Sequence, residues 1–256
     1  MKPQPDDQRL VGEMEVAKFD QDYIGDDVLD EIVSTLLAVK PDIVKIADFG
    51  GGNGRFLDRL LQRIPRANGT NYETSIQLRA VNAHHPRKAI CGQSFLVVED
   101  WAEHDLILMN WVLHHLVGDT LHRTVQLVHA ASDIAYRALK PGGILVISEN
   151  LLQSLFPEQF SSAILYYITQ SQLLKPLTSR MKDGTSVAGV GIYYMSAPQL
   201  LRIFSGFELL ATFDRNRHDY GKRLMLIGIT SVLERILIFR KPFSSPDRCD
   251  PSGQAL

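Results

Sequence analysis

Residues 43–64 read IVKIADFGGGNGRFLDRLLQRI. Ile43 to Asp48 is a short β-rich run, Gly50, Gly51, Gly52 and Gly54 make a turn, and Phe56, Leu57, Leu60, Leu61 and Ile64 recur at helical spacing. The stretch is strand, glycine turn, helix. Such a turn lies outside the carboxyl end of a strand, where α/β sheets bind ligands. Its glycines let the backbone take positive φ and let a ligand approach without meeting a Cβ, and the helix behind it presents free N–H groups.

The alternation continues on both sides. Val28, Ile32, Val33, Leu36 and Leu37 predict a helix that stops at Pro41. Downstream, a strand is expected before Glu73, a helix around Ile76 to Ala83, a strand near Ala89 and a buried strand from Asp105 to Met109. A long helix from about Thr120 to Leu139 stops at Pro141-Gly142-Gly143, and Ile144 to Ser148 reads as another buried strand. Repeated βα units imply a Rossmann-like, doubly wound, mostly parallel sheet. Residues 151–195 break the pattern with scattered aromatics and read as a small helical cap or lid. A helix from Ala197 to Phe204 and a strand from Glu208 to Phe213 follow, and either Leu224 to Thr230 or Ile236 to Arg240 closes the sheet. The expected organisation is a helical segment over 1–40, one α/β domain over 41–243 and a disordered tail over 244–256.

Composition narrows the function. The 256 residues carry a formal charge of −2 with both signs interspersed, so no basic field exists to neutralise phosphates, and nucleic acid is not the expected partner. Cys91 and Cys249 fit neither a disulfide framework nor a zinc site, and no metal is expected. The N-terminus does not read as a signal peptide, and the apolar stretch Leu224–Phe239, interrupted by Glu234 and Arg235, is short of the roughly 20 residues of a membrane span. A cytoplasmic chain acting on a small molecule is expected, with oligomeric state undetermined.

The turn distinguishes two ligand classes. A dinucleotide fingerprint G-x-G-x-x-G would need glycine where Arg55 stands, and the sequence reads G-x-G-x-G instead. With Asp48 before it, this pattern resembles motif I of class I S-adenosylmethionine-dependent methyltransferases. The resemblance implies that Gly50, Gly52, Asn53 and Gly54 hold the methionine part of the cofactor and that Asp48 lies near its ammonium group. Glu73, at the end of the second expected strand, has the position and chemistry to accept both hydroxyl protons of a ribose. The family often carries Asp after the third strand for the adenine amino group. Here Gln93 stands there with Ser94 beside it, and the Gln93 carbonyl can accept that bond. Asn110 and Trp111 complete the expected cofactor set.

After the strand ending at Met109 comes Asn110-Trp111-Val112-Leu113-His114-His115. Its Trp111-Val112-Leu113-His114 part, together with Ala47-Asp48-Phe49-Gly50-Gly51-Gly52-Asn53-Gly54, with Ala138-Leu139-Lys140-Pro141-Gly142-Gly143 running into Val146-Ile147-Ser148-Glu149, and with Phe239-Arg240-Lys241-Pro242, resembles the catalytic domain of small-molecule O-methyltransferases of the plant and fungal-metabolite kind. That resemblance implies a general base at His114, supported by Glu149, with His115 beside it where the family has an aspartate. Tyr166, Tyr167, Tyr194 and His218 are candidate substrate contacts by position. The expected reaction is methyl transfer from S-adenosylmethionine to an oxygen of a small acceptor, releasing S-adenosylhomocysteine. The alternatives are an N- or C-methyltransferase on the same scaffold, a nicotinamide oxidoreductase, and a catalytically silent cofactor-binding or partner protein.

Overall fold

The structure, a computed structural model, describes residues 26–99, 101, 103–173, 191–219 and 228–243. In chain order the elements are α1 (Asp26–Val39), β1 (Lys45–Phe49), α2 (Arg55–Arg63), β2 (Asn68–Tyr72), α3 (Ile76–Ala80), β3 (Lys88–Cys91), β4 (His104–Asn110), α4 (Leu121–Ala138), β5 (Leu139–Ser154), α5 (Glu158–Gln170), α6 (Ala197–Ile203), β6 (Glu208–Asp219) and β7 (Ile229–Arg240). Short 3₁₀ turns occupy Phe95–Val97 and Leu113–His115.

The seven strands form one sheet in the order β3-β2-β1-β4-β5-β7-β6. β1 to β5 pair in parallel, and β7 runs antiparallel to both its neighbours. This is the Rossmann-like, mostly parallel arrangement that the βα alternation predicts. Chain order reverses at β1, which lies between β2 and β4, and that reversal opens a crevice at the strands' carboxyl ends.

Alternating residues send opposite faces of the sheet into two cores. Ala47, Phe49, Ile107, Met109, Leu145, Ile147, Leu237 and Phe239 pack with α4 and α6 on one side. Ile46, Leu106, Leu108, Ile144, Val146, Ile236 and Ile238 pack with α1 and α2 on the other. Near-continuous apolar strands are what a sheet covered on both faces requires. α4 begins where the Thr120 side chain accepts the Arg123 backbone N–H at 3.1 Å, and it buries Leu127, Val128, Ala131, Ile134, Ala135 and Ala138.

Three strands are longer than their sequence suggests: β5, β7, and β6, which runs on from Phe213 to Asp219. β5 starts directly at Leu139 and runs past Ser148 to Ser154, into the region expected to break the pattern. Its extension is stabilised by β7, which pairs with it from Arg240 back to Ile229. β7 thus contains Ile236–Arg240 together with Ile229 and Thr230, and residues 224–227 lie outside the described residues. The cap region supplies α5, then the segment Ile192–Ser196 leading to α6. The tail after residue 243 lies outside the described residues. Among these, no helix is long and apolar enough to cross a membrane.

Candidate functional site

The glycine turn is held by its own backbone. Gly50 donates to the Tyr72 carbonyl at 2.8 Å, and Gly54 to the Gly51 carbonyl at 2.9 Å. Gly50, Gly52 and Gly54 have φ of +66°, +54° and +73°, values that L side chains rarely adopt. A Cβ on Gly50 would lie 2.4 Å from Val112 Cγ2, whereas one on Gly52 would meet nothing within 4 Å. The turn is therefore packed at its base and open at its middle. Asn53 accepts the Arg55 N–H through Oδ1 at 3.2 Å, which orders the entry to α2.

Glu73 follows β2 and is only 8% exposed. Its carboxylate turns onto the glycine turn, with Oε2 accepting the Gly52 N–H at 3.0 Å and Oε1 accepting the Ser75 N–H at 2.7 Å. Burial raises its pKa, opposed by these two bonds and by Arg79, whose guanidinium donates to the Glu73 and Thr74 carbonyls at 2.7 Å. Each carboxylate oxygen keeps a second lone pair for a hydroxyl donor.

Asp48 lies beneath the same turn, fully buried, and pairs in register with Asn71 on β2. A Cβ on Gly51 would come within 2.4 Å of Asp48 Oδ2 and 2.3 Å of Asn71 Nδ2, so carboxylate and amide approach one point. Burial pushes the Asp48 carboxyl up to about 7, the Glu73 charge adds to this, and Lys88 opposes it. The side-chain polar atoms of Asp48, Asn71, Asn110 and Ser148 have no hydrogen-bond partner among the described residues. A buried polar group left unpaired costs roughly 1–3 kcal/mol. Groups of this kind are satisfied by water, an ion or a polar ligand.

Beside this row, an aromatic cluster fills the carboxyl end of β1 and β2. Phe49 stacks on Phe95 at 4.6 Å and contacts Trp101 at 4.9 Å, and Tyr72 meets Trp101 at 5.2 Å. Ser94 Oγ accepts the Leu96 N–H at 3.3 Å and so starts the turn that carries Phe95. Gln93 is exposed at the edge of this cluster. Its members come from three separated segments, so periodicity gave no sign of them as a group.

The two histidines occupy the 3₁₀ turn after β4. His114 is buried, and its ring Nδ1 makes a very short contact with Oε1 of the fully buried Glu149. That carboxylate also accepts the backbone N–H groups of His114 at 3.3 Å and Asn150 at 2.9 Å. With Nδ1 engaged by Glu149, Nε2 is the ring nitrogen left for another partner. His115 packs its ring 4.1 Å from that of His114, and burial together with the His114 charge pushes its pKa well down, leaving it neutral. Trp111 takes φ +51°, and its backbone N–H donates to the Ser148 carbonyl at 2.8 Å, tying the turn to β5.

Of the aromatic candidates, Tyr194 is half-buried with its ring 5.4 Å from His114. Tyr193 ties this segment to the turn by donating its N–H to the His114 carbonyl at 3.1 Å. Tyr166 is fully buried and donates its hydroxyl to the Gly118 carbonyl at 3.1 Å, a packing position, while Tyr167 is exposed on α5. The His218 side chain lies outside the described residues. An apolar hollow of about 580 Å³, lined by Phe156, Pro157, Gln159 and Phe160, involves none of the site residues.

A family model described as a methyltransferase domain matches residues 47–147. O-methyltransferase 12 of Dictyostelium discoideum is 25% identical over 131 residues, a match that takes in 49% of this chain and 32% of that protein. Among solved structures, the N-methyltransferase NodS of Bradyrhizobium japonicum WM9, bound to S-adenosylhomocysteine, superposes with a TM-score of 0.56 at 13% identity, covering 90% of this chain and 96% of NodS. Human N-acetylserotonin methyltransferase, bound to S-adenosylmethionine, gives a TM-score of 0.50 at 17% identity over 90% of this chain and 57% of that one. The two solved structures share the fold, and the names of the relatives differ in the acceptor.

Proposed function

We propose that this chain is a class I S-adenosylmethionine-dependent methyltransferase, a reading supported by the methyltransferase-domain match over residues 47–147 and by the shared fold, and that it transfers the methyl group of S-adenosylmethionine to an oxygen of a small organic molecule. The observation that carries the cofactor half is the open glycine turn with Glu73 folded onto it and unpartnered Asp48 and Asn110 beside it. A cationic, diol-bearing ligand fits that donor set: Asp48 faces an ammonium group, Glu73 a ribose, and the Gly52 opening leaves room for the chain between them. Gln93, Ser94 and the Phe95–Trp101 aromatics border the adenine end.

The bound cofactor supplies a methyl group on a sulfonium, poised for in-line displacement. The chain's residues supply alignment and a proton acceptor. His114, with Nδ1 hydrogen-bonded to Glu149, presents Nε2 to an acceptor hydroxyl, and the buried carboxylate stabilises the imidazolium that forms. Neutral His115 and the Tyr194 ring border the same space without adding charge, which suits a phenol or a carboxylic acid as acceptor.

The reading is tested by calorimetry with S-adenosylhomocysteine, followed by incubation with methyl-labelled cofactor and panels of phenols, carboxylic acids and amines. Binding of the cofactor product and label on a phenol or acid oxygen are expected. Label on amines alone would overturn the oxygen assignment, and absence of binding would leave a silent partner protein.

Asp48 makes cofactor binding depend on pH. Its folded-state pKa of about 7 lies above its ordinary 3.8, so between those values the folded chain holds a proton that the unfolded chain has lost. Stability of the free protein therefore falls as pH rises through that window. An ammonium seated on Asp48 restores the ionised carboxylate. The rise in melting temperature given by S-adenosylhomocysteine should be larger at about pH 8 than at about pH 5.5. Equal rises would remove Asp48 from cation binding.

A further inference from the structure

We propose that this chain forms a two-fold symmetric homodimer through the outer face of α5, with Tyr167 of each copy seated in the apolar hollow at the start of α5 in the other. The proposal is independent of the cofactor reading above. A helix on the surface of a protein ordinarily carries charged residues on its outer side. The stretch from Leu151 to Leu174 has a single charged residue, Glu158. What it exposes is apolar: Leu155, Phe156, Phe160 and Tyr167 are 72%, 44%, 55% and 59% exposed. Phe156, Phe160, the half-buried Ala163 and Tyr167 follow at intervals of four, three and four residues, which sets them in one stripe.

The stripe has unlike ends. At its start Phe156, Pro157, Gln159 and Phe160 line the hollow of about 580 Å³. The walls of this hollow are fixed in advance. The Leu155 N–H donates to the Gly228 carbonyl at 2.8 Å, the Phe156 N–H to Ser154 Oγ at 3.1 Å and the Phe160 N–H to the Pro157 carbonyl at 2.9 Å. Gly228 lies so close beneath the Phe156 ring that a Cβ there would fall 2.1 Å from Cδ2. At the far end the exposed Tyr167 ring is braced edge-on by Tyr166, 5.2 Å away. Hollow and ring lie about two and a half helical turns apart. A two-fold axis crossing α5 near Ala163 reverses one helix on the other and brings each ring to the other copy's hollow, the self-complementarity that an isologous contact requires. The small Ala163 side chain at the crossing lets the two helices approach closely.

The area suits a dimer. At about 200 Å² for a fully exposed large apolar residue, Leu155, Phe156, Phe160 and Tyr167 leave roughly 450 Å² of apolar surface open to water, within the range of functional patches. An interface of standard size covers about 800 Å² of each partner, a little over half of it apolar. The patch with a polar rim meets that need. The stripe itself carries no charge, so two copies meet without like charges opposed.

Sedimentation velocity on the full chain should show a dimer at about 10 μM. Tyr167→Ala should weaken dimerisation by about 10²- to 10³-fold, because symmetry removes the ring twice and a buried interfacial tyrosine is worth roughly tenfold or more each time. Phe160→Glu, which puts a charge into the hollow, should give a monomer. Val44→Glu, at an exposed apolar position before the amino end of β1, should leave the dimer intact. A wild type still monomeric at about 200 μM, or a dimer that Tyr167→Ala and Phe160→Glu both leave unchanged, would overturn the proposal. Two other occupants would overturn it as well. A monomer that sediments with phosphatidylcholine vesicles would mark the face as lipid-binding, and a monomer in which Phe160→Glu melts well below the wild type would mark it as covered by the chain's own residues 174–190.

Discussion

Gly50→Ala is expected to abolish measurable binding of S-adenosylhomocysteine and to lower the melting temperature of the free protein. Two costs act together. An alanine at φ +66° bears the steric penalty of the left-handed region, and its methyl would sit 2.4 Å from the Cγ2 of buried Val112. The two amount to roughly 2–4 kcal/mol. Val112 is short and cannot swing aside, so the turn must shift, and it carries with it the Gly50 bond to Tyr72 and the Gly52 bond to Glu73. Gly52→Ala is the control. That position has similar φ but open space, so it should cost the free protein only about 1–2 kcal/mol while placing a methyl where the ligand passes. Thermal melting and calorimetry on both variants separate the effects: Gly50→Ala loses stability and binding, Gly52→Ala chiefly binding. Wild-type affinity in Gly50→Ala would show that the turn does not hold the ligand.

These contrasts show why part of the site could be read from the sequence and part could not. The glycine turn, Asp48 and Glu73 are legible because each is fixed by a local constraint, namely a turn that needs positive φ and a carboxylate at the end of a strand. Asn71 and Ser148 carry no such mark. Their burial and their place beside Asp48 and Asn110 come from the register of β1 with β2 and of β4 with β5, which no single segment specifies. The last strand was open for a different reason. Glu234 and Arg235 interrupt the apolar run, yet β7 continues through them because Arg215 reaches Glu234 at 3.1 Å and Asp214 pairs with Arg235 at 2.5 and 2.8 Å across β6. Charges that look like a break in the chain are satisfied by a neighbour strand. Tyr166 and Tyr194 likewise look equivalent in sequence, but the packing of α5 sends the first into the core, and the Tyr193 bond to the His114 carbonyl holds the second beside His114.

His114→Ala should slow methyl transfer to an oxygen acceptor by about 10²- to 10⁴-fold, the range for losing a positioned general base, with the affinity for S-adenosylhomocysteine nearly unchanged. Affinity is spared because, among the described residues, the hydrogen-bond partner of the imidazole is Glu149 and not Asp48, Glu73 or Asn110 of the cofactor row. The Glu149 variants should then grade the effect. Glu149→Gln keeps an acceptor for Nδ1–H but removes the charge that stabilises the imidazolium, so turnover should fall less than in His114→Ala and fold should be retained. Glu149→Ala leaves the His114 ring and the backbone N–H groups of His114 and Asn150 unpaired in the interior. At roughly 1–3 kcal/mol for each buried unsatisfied group, it should destabilise the protein as well as silence it. Steady-state kinetics with the acceptor found in the panel, read beside melting temperatures, distinguish a catalytic loss from a folding loss. Turnover in His114→Ala equal to the wild type would take the proton-transfer role from this pair and leave alignment of a nucleophile that arrives already unprotonated as the whole of the catalysis.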